Sequence, residues 1–180
     1  MSSWADLSAE LDRWKDAGKV ASFWWRDDDA VGATPALDRL LDLRRETDVP
    51  LSIAVIPATA AAELGTLLAD DGTDVLQHGY AHRNHRPATA RKAELGEDRA
   101  LWDIAGELAE GRGRMFEIFG EDGWIKAIVP PWNRIDPPVT ALLPGLGFHG
   151  LSTFRPRDGA EPVPGLAAVN THIDIIDWDG

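Results

Sequence analysis

Three of the five histidines in this chain fall within eight residues, in the stretch Q-H-G-Y-A-H-R-N-H at 77–85. His78 and His82 are four apart, so one helical turn, or a tight loop of similar pitch, brings both imidazoles to one side. There they can share a metal ion. Upstream, Asp27, Asp28 and Asp29 follow the apolar run at 20–25, which puts carboxylates where a strand ends. Two imidazoles and a carboxylate leave coordination positions open, the pattern of a catalytic rather than a structural metal site. Taken singly, each group has a plainer reading. The acidic triplet precedes Thr34-Pro35 and could be a solvated turn favouring a helix N-terminus. His172 could be a hydrogen-bonded core histidine, and Trp24, Trp25 and Trp178 could be packing. His85 reads as a supporting or surface group and His149 as structural.

Length and composition limit what can position these groups. A chain of 180 residues suits one domain with a sizeable core, and 44% apolar with 27% charged residues is ordinary for a globular protein. The net charge of -12 argues against nucleic acid or an anionic membrane as partner. The absence of cysteine excludes disulfides, thiolate zinc sites and cysteine nucleophiles. No basic region followed by an apolar one opens the chain, and no apolar run has the length of a span. The expectation is a cytoplasmic protein.

The elements alternate. Ser3 and Asp6 resemble a capping box for a helix with Leu7, Leu11 and Trp14 on one face, ending near Gly18. Strands are expected at 20–26, 51–56, 73–77, 125–129, 148–154 and 167–176. Helices are expected at 34–49, capped by Thr34 with Pro35 first, at 58–69, 93–119 and 137–146, with Gly106, Gly111 and Gly113 as interruptions. Strands separated by helices imply parallel pairing with right-handed crossovers. The candidate chemistry then sits at strand ends, where parallel α/β folds gather their active sites.

Asp28-Asp29, H-G-Y-A-H at 78–82, P-P-W at 130–132 and Thr171-His172 occur in the order of the motifs of the polysaccharide deacetylase family, the NodB-like carbohydrate esterases. From about residue 20 onward the chain resembles that family. The resemblance implies an α/β fold, a distorted parallel (β/α) barrel forming one catalytic domain over 1–180. It also implies one divalent metal, zinc foremost with cobalt, nickel or manganese as alternatives, and removal of acetyl groups from an N-acetylated sugar or oligosaccharide. By the same resemblance Asp29, His78 and His82 are the metal ligands, Asp28 the catalytic base and His172 the general acid. Asp27 as base with Asp28 as ligand is the alternative register. Trp132, with Pro131, Asn133 and Tyr80, would contact substrate. Pro130 and Pro131 lack N–H groups, so Trp132 carries the first backbone donor for a developing oxyanion.

Two departures matter. The family has an arginine just before the P-P-aromatic run, where this chain has Val129. Arg26, two residues before Asp28 and on the same strand face, or Arg134, two after Trp132, could put the opposite charge beside the base. The chain also stops soon after its last motif, where the family continues through another helix and strand, so the expectation is either a shortened piece of a longer chain or a natural short form with one side of the barrel open. An open edge favours a homodimer. Two other functions stay open: hydrolysis of another C–N bond such as a cyclic amide, and a carbohydrate- or partner-binding module without turnover.

Overall fold

The apolar stretches resolve into six short parallel strands joined by helices and loops. The computed structural model describes residues 4–69 and 72–175, so Ser3 and Trp178 lie outside the described residues. In chain order the elements are α1 (Trp4–Asp16), β1 (Trp25–Ala30), α2 (Pro35–Thr47), β2 (Leu51–Val55), α3 (Leu64–Ala69), β3 (Asp74–His78), α4 (Leu101–Phe119), β4 (Ala127–Val129), α5 (Pro137–Leu142), β5 (Gly150–Leu151) and β6 (Ala167–Ala168). Strand order follows sequence order from β1 to β6, and every neighbouring pair is parallel. Among the described residues β1 and β6 do not pair with each other, so the sheet is a distorted, unclosed barrel. No helix of the described residues is long and apolar enough to cross a membrane.

Local chemistry explains the best-defined pieces. The Thr34 hydroxyl accepts the Leu37 N–H at 3.1 Å and Pro35 opens α2, which ends at left-handed Asp48. Leu37 and Leu41 of α2, Leu64 and Leu68 of α3, and Ile104, Leu108 and Met115 of α4 pack against Leu51, Ile53 and Val55 of β2. Alternation sends the remaining strand residues to the opposite face, where Ala54, Leu76, Ala127 and Val129 form a second, smaller cluster.

Several boundaries differ from the sequence reading, each for a tertiary reason. β1 starts at Trp25, whose N–H donates to Pro50 O, and the residues before it lack a neighbouring strand; Val20 is 88% exposed. The acidic triplet therefore lies within β1. Residues 58–63 are not α-helical despite their alanines, because Ala58 and Ala61 donate their N–H groups to Tyr80 O and Val31 O, outside the segment. Residues 93–100 precede α4, since Leu95 pairs with Ile135 and Ala93 O accepts from His85. Gly106, Gly111 and Gly113 do not interrupt α4. At Gly111 a Cβ would lie 2.5 Å from Gln77 Nε2, so the glycine permits close approach of β3. β5 and β6 are two residues each, and the chain beyond them continues as isolated bridges such as Phe154 with Thr171.

Candidate metal centre

The register of β1 against β2 slips by one residue between Asp27 and Ala30, where Asp28 and Asp29 sit. Asp29 takes a left-handed φ of 72°, a conformation that disfavours a side chain and re-aims this one. Its Oδ1 lies 3.1 Å from His78 Nε2 and 3.2 Å from His82 Nε2. His78 is the last residue of β3 and His82 lies in the following loop, so a bent loop joins the two histidines and not a helical turn. The His78 Nδ1 faces Val129 O at 2.9 Å. A carbonyl can only accept, so the proton of that hydrogen bond resides on Nδ1 and the Nε2 lone pair is free to face Asp29.

This arrangement fits a metal ion. One ligand atom from each of Asp29, His78 and His82 lies within 4.8 Å of the others, and all three atoms are electron-rich. Two nitrogens converging on one carboxylate oxygen repel unless a proton or a cation lies among them. With Nε2 protonated as well, His78 would donate to Asp29, and that hydrogen bond, with burial opposing and the charges of both histidines assisting, would hold the Asp29 carboxyl below the usual carboxylate range.

Asp28 points to a different partner. Arg26 grips it with two parallel hydrogen bonds, Nε to Oδ1 at 2.8 Å and Nη2 to Oδ2 at 2.9 Å. The same guanidinium, 3% exposed, also donates to Ser152 Oγ at 2.8 Å, Thr153 O at 3.3 Å and Asn133 Oδ1 at 2.6 Å. It thereby ties β1 to the chain beyond β5 across the unpaired side of the sheet. Arg134 does not share this role. Residues 131–133 form a tight turn in which Trp132 and Asn133 have φ of 56° and 55°, and Arg134 instead donates to Lys92 O at 2.8 Å. Asp27 stands in the regular part of β1, opposite Ile53, and its carboxyl is pushed up by burial and then by the charges of Asp28 and Asp29. The geometry thus joins Asp28 to the arginine and Asp29 to the histidines, and the alternative register is not the one assembled.

Among the remaining candidates, Trp132 and Asn133 touch groups of this centre. Trp132 packs on His82 with ring centroids 4.3 Å apart. Asn133 uses its side-chain oxygen on Arg26, and Pro131 is buried. The Tyr80 hydroxyl donates to Glu110 Oε1 at 2.6 Å, and that acceptor pushes its pKa up to about 12. His172 is exposed, one residue past the Phe154–Thr171 bridge. Among the described residues, four of the six non-glycine residues with positive φ belong to this region: Asp29, His82, Trp132 and Asn133. Such conformations cost about 1–3 kcal/mol each and persist where surrounding structure enforces them.

Sequence reasoning missed Glu94. This carboxylate is completely buried and accepts the N–H groups of Tyr80, Ala81 and Arg83 at 3.0, 2.8 and 3.2 Å. It shapes the loop that presents His82. Gly79 permits it, because a Cβ there would lie 2.1 Å from Glu94 Oε2 and 2.6 Å from Pro131 Cδ. The available signal was a single acid between Ala93 and Leu95, both buried. Glu94→Gln keeps one acceptor oxygen but turns an NH₂ group toward N–H donors. Thermal unfolding should show a loss of about 1–3 kcal/mol, the cost of unsatisfied buried groups.

The fold and this centre define a class: the chain has the α/β fold of the polysaccharide deacetylases, the NodB-like type. The particular likenesses are to solved structures. IcaB from Ammonifex degensii superposes with a TM-score of 0.66 at 14% identity, over 97% of this chain and 88% of its own. The Streptococcus pyogenes deacetylase PplD, in complex with acetate, gives 0.62 at 15% identity over 92% and 71%. A candidate polysaccharide deacetylase from Mycobacterium smegmatis gives 0.59 at 22% identity over 77% of this chain, which spans only 46% of that protein's length. No protein-family model matches the sequence, and no curated protein matches it either.

Proposed function

We propose that the chain is a divergent polysaccharide deacetylase, a metal-dependent hydrolase that removes acetyl groups from an N-acetylated sugar. The observation that carries this reading is the convergence of Asp29, His78 and His82 beside an Asp28 clamped by Arg26. Proteins sharing the fold support it, among them a deacetylase and a family 4 carbohydrate esterase that are each in complex with acetate. Asp29, His78 and His82 would hold the ion, and zinc is the proposed metal, although a mixed nitrogen and oxygen donor set also accepts cobalt, nickel or manganese. When bound, such an ion supplies Lewis acidity, which activates water near neutral pH and polarises a carbonyl.

The protein's own groups do the rest. Asp28 receives the proton of the attacking water, and Arg26 fixes its orientation from both oxygens. The Trp132 N–H is the proposed donor to the developing oxyanion, and the indole face beside His82 offers an apolar wall to the sugar ring. His172 is the proposed acid that protonates the departing amine. Without that proton the tetrahedral intermediate would expel hydroxide and return to amide.

Acetate release from N-acetylated chito-oligosaccharides tests the reading, measured on metal-loaded protein, after chelation, and after zinc or cobalt is restored. Release that disappears with the chelator and returns with the ion is expected. His172→Ala should lower kcat by about 10²–10⁴-fold, the range for a general acid, with the metal retained. A protein that binds metal and sugar yet releases no acetate would be a binding module instead.

A further inference from the structure

A strip of cations borders the metal centre. Arg91 and Lys92 are exposed on the segment between β3 and α4, and Arg134 follows the Trp132 turn. Arg134 Nη1 donates to Lys92 O at 2.8 Å, the Lys92 ammonium lies 5.9 Å from the centre of the Trp132 ring, and that ring packs on His82 at 4.3 Å. These contacts run in series from the histidine to the strip, over a span that one or two sugar units can bridge.

The strip lacks counter-charges. Among the described residues Arg86 is paired with Asp98 and Asp136, and Arg99 with Glu107. Arg91, Lys92 and Arg134 form no salt bridge there. The crowding is felt at Arg134, whose guanidinium is pushed down by burial and then by the charges of Arg91 and Arg86. In a chain of net charge -12, three unpaired cations gathered about one tryptophan turn depart from the average surface. Gathering like charges costs energy unless an anion relieves it.

We infer that the cationic strip of Arg91, Lys92 and Arg134 receives a negatively charged group, phosphate or carboxylate, borne by the sugar whose acetamide enters the metal centre. This rests on the deacetylase reading and names its substrate class. Arginine forks suit either oxyanion, and Lys92 adds a point charge over the indole that would face the sugar. The overall negative charge of the chain repels a long polyanion, so the substrate is a short sugar with an isolated anionic group.

The test is calorimetric binding to the zinc-loaded full chain at low ionic strength. The probes are N-acetylglucosamine, N-acetylglucosamine 6-phosphate and N-acetylmuramic acid, which separate the neutral, phosphate and carboxylate cases. At least one charged sugar should bind about ten-fold more tightly than the neutral one, and the preference should shrink toward about 1 M salt. The double variant Arg91→Ser, Lys92→Ser should lose the preference while its zinc content stays at the wild-type level. Equal affinity for all three sugars, no binding of any, or a preference that survives the double variant would overturn the inference. Preferential binding without acetate release keeps the strip and removes the deacetylase reading. Acetate release with the same KM from charged and neutral sugars does the reverse.

Discussion

Asp29→Ala is expected to yield a folded protein that has lost its metal. Elemental analysis of the wild type should find about one divalent ion per chain. In the variant one of three protein ligands is gone, and acetate release should fall by roughly three orders of magnitude or more as the Lewis acid departs. Asp29 is the better of two obvious probes. Its side chain is 60% exposed, so truncation opens no core cavity. His78 is 1% exposed and holds Val129 O, so His78→Ala combines metal loss with a packing defect and an unpaired carbonyl. Circular dichroism separates the two effects. Full metal occupancy in Asp29→Ala would remove Asp29 from the ligand set.

Arg26→Met should be the most damaging change away from the ligands. The methionine chain fills part of the same space, but Asp28, Ser152, Thr153 and Asn133 all lose a donor, and a half-buried carboxylate loses its counter-charge. Breaking a buried pair from one side costs about 3–5 kcal/mol, which denaturant titration would detect. Arg26 is a positioning residue, so a second readout is needed to distinguish its role from general destabilisation. Fully folded Arg26→Met with its metal retained should show a kcat lowered by about 10²-fold and a nearly unchanged KM, since the base is present but no longer aimed. Arg26→Lys should recover part of the stability and little of the rate, because an ammonium cannot grip both carboxylate oxygens. An unchanged kcat in the folded fraction would reduce Arg26 to a structural tie.

The sequence made the local chemistry of this centre readable. His78 and His82 stand four apart and Arg26 lies two residues from Asp28, groupings of short range, whereas the joining of Asp29 on β1 to histidines at and after the end of β3 was implied by the family resemblance. Other features depended on contacts between distant segments. Glu94 meets Tyr80 and Ala81 across a loop, and no periodicity marks an acid destined for three backbone donors. Arg134 was a reasonable substitute by spacing, but the left-handed Trp132 and Asn133 turn it toward Lys92. The alanines at 58–63 favour a helix intrinsically, yet carbonyls at Val31 and Tyr80 claim their N–H groups. The glycines of α4 invited the opposite error, since two face open space and the third lets β3 approach. The six-strand parallel order was readable because helix-like and strand-like stretches alternate. Strand lengths were not, because apolar runs extend beyond the residues that find a pairing partner.

The hydrogen bonds of Arg26 also bear on how the molecule comes into being. They join residues separated by 107 to 127 positions, so the acceptors are made long after the donor. While the chain is still on the ribosome, β1 can pair with β2 and the histidines can approach Asp29, all within the first half of the polypeptide. The guanidinium must wait for Asn133 and then for Ser152 and Thr153. Contacts of such sequence separation form late and slowly, because the intervening loop must first be closed. The last supports of the ion site, Glu94 under the His82 loop and Val129 O behind His78, are still made before Asn133, Ser152 and Thr153, so Asp28 gains its final orientation after the ion site is complete. Ion capture would come before catalytic competence in the life of each molecule.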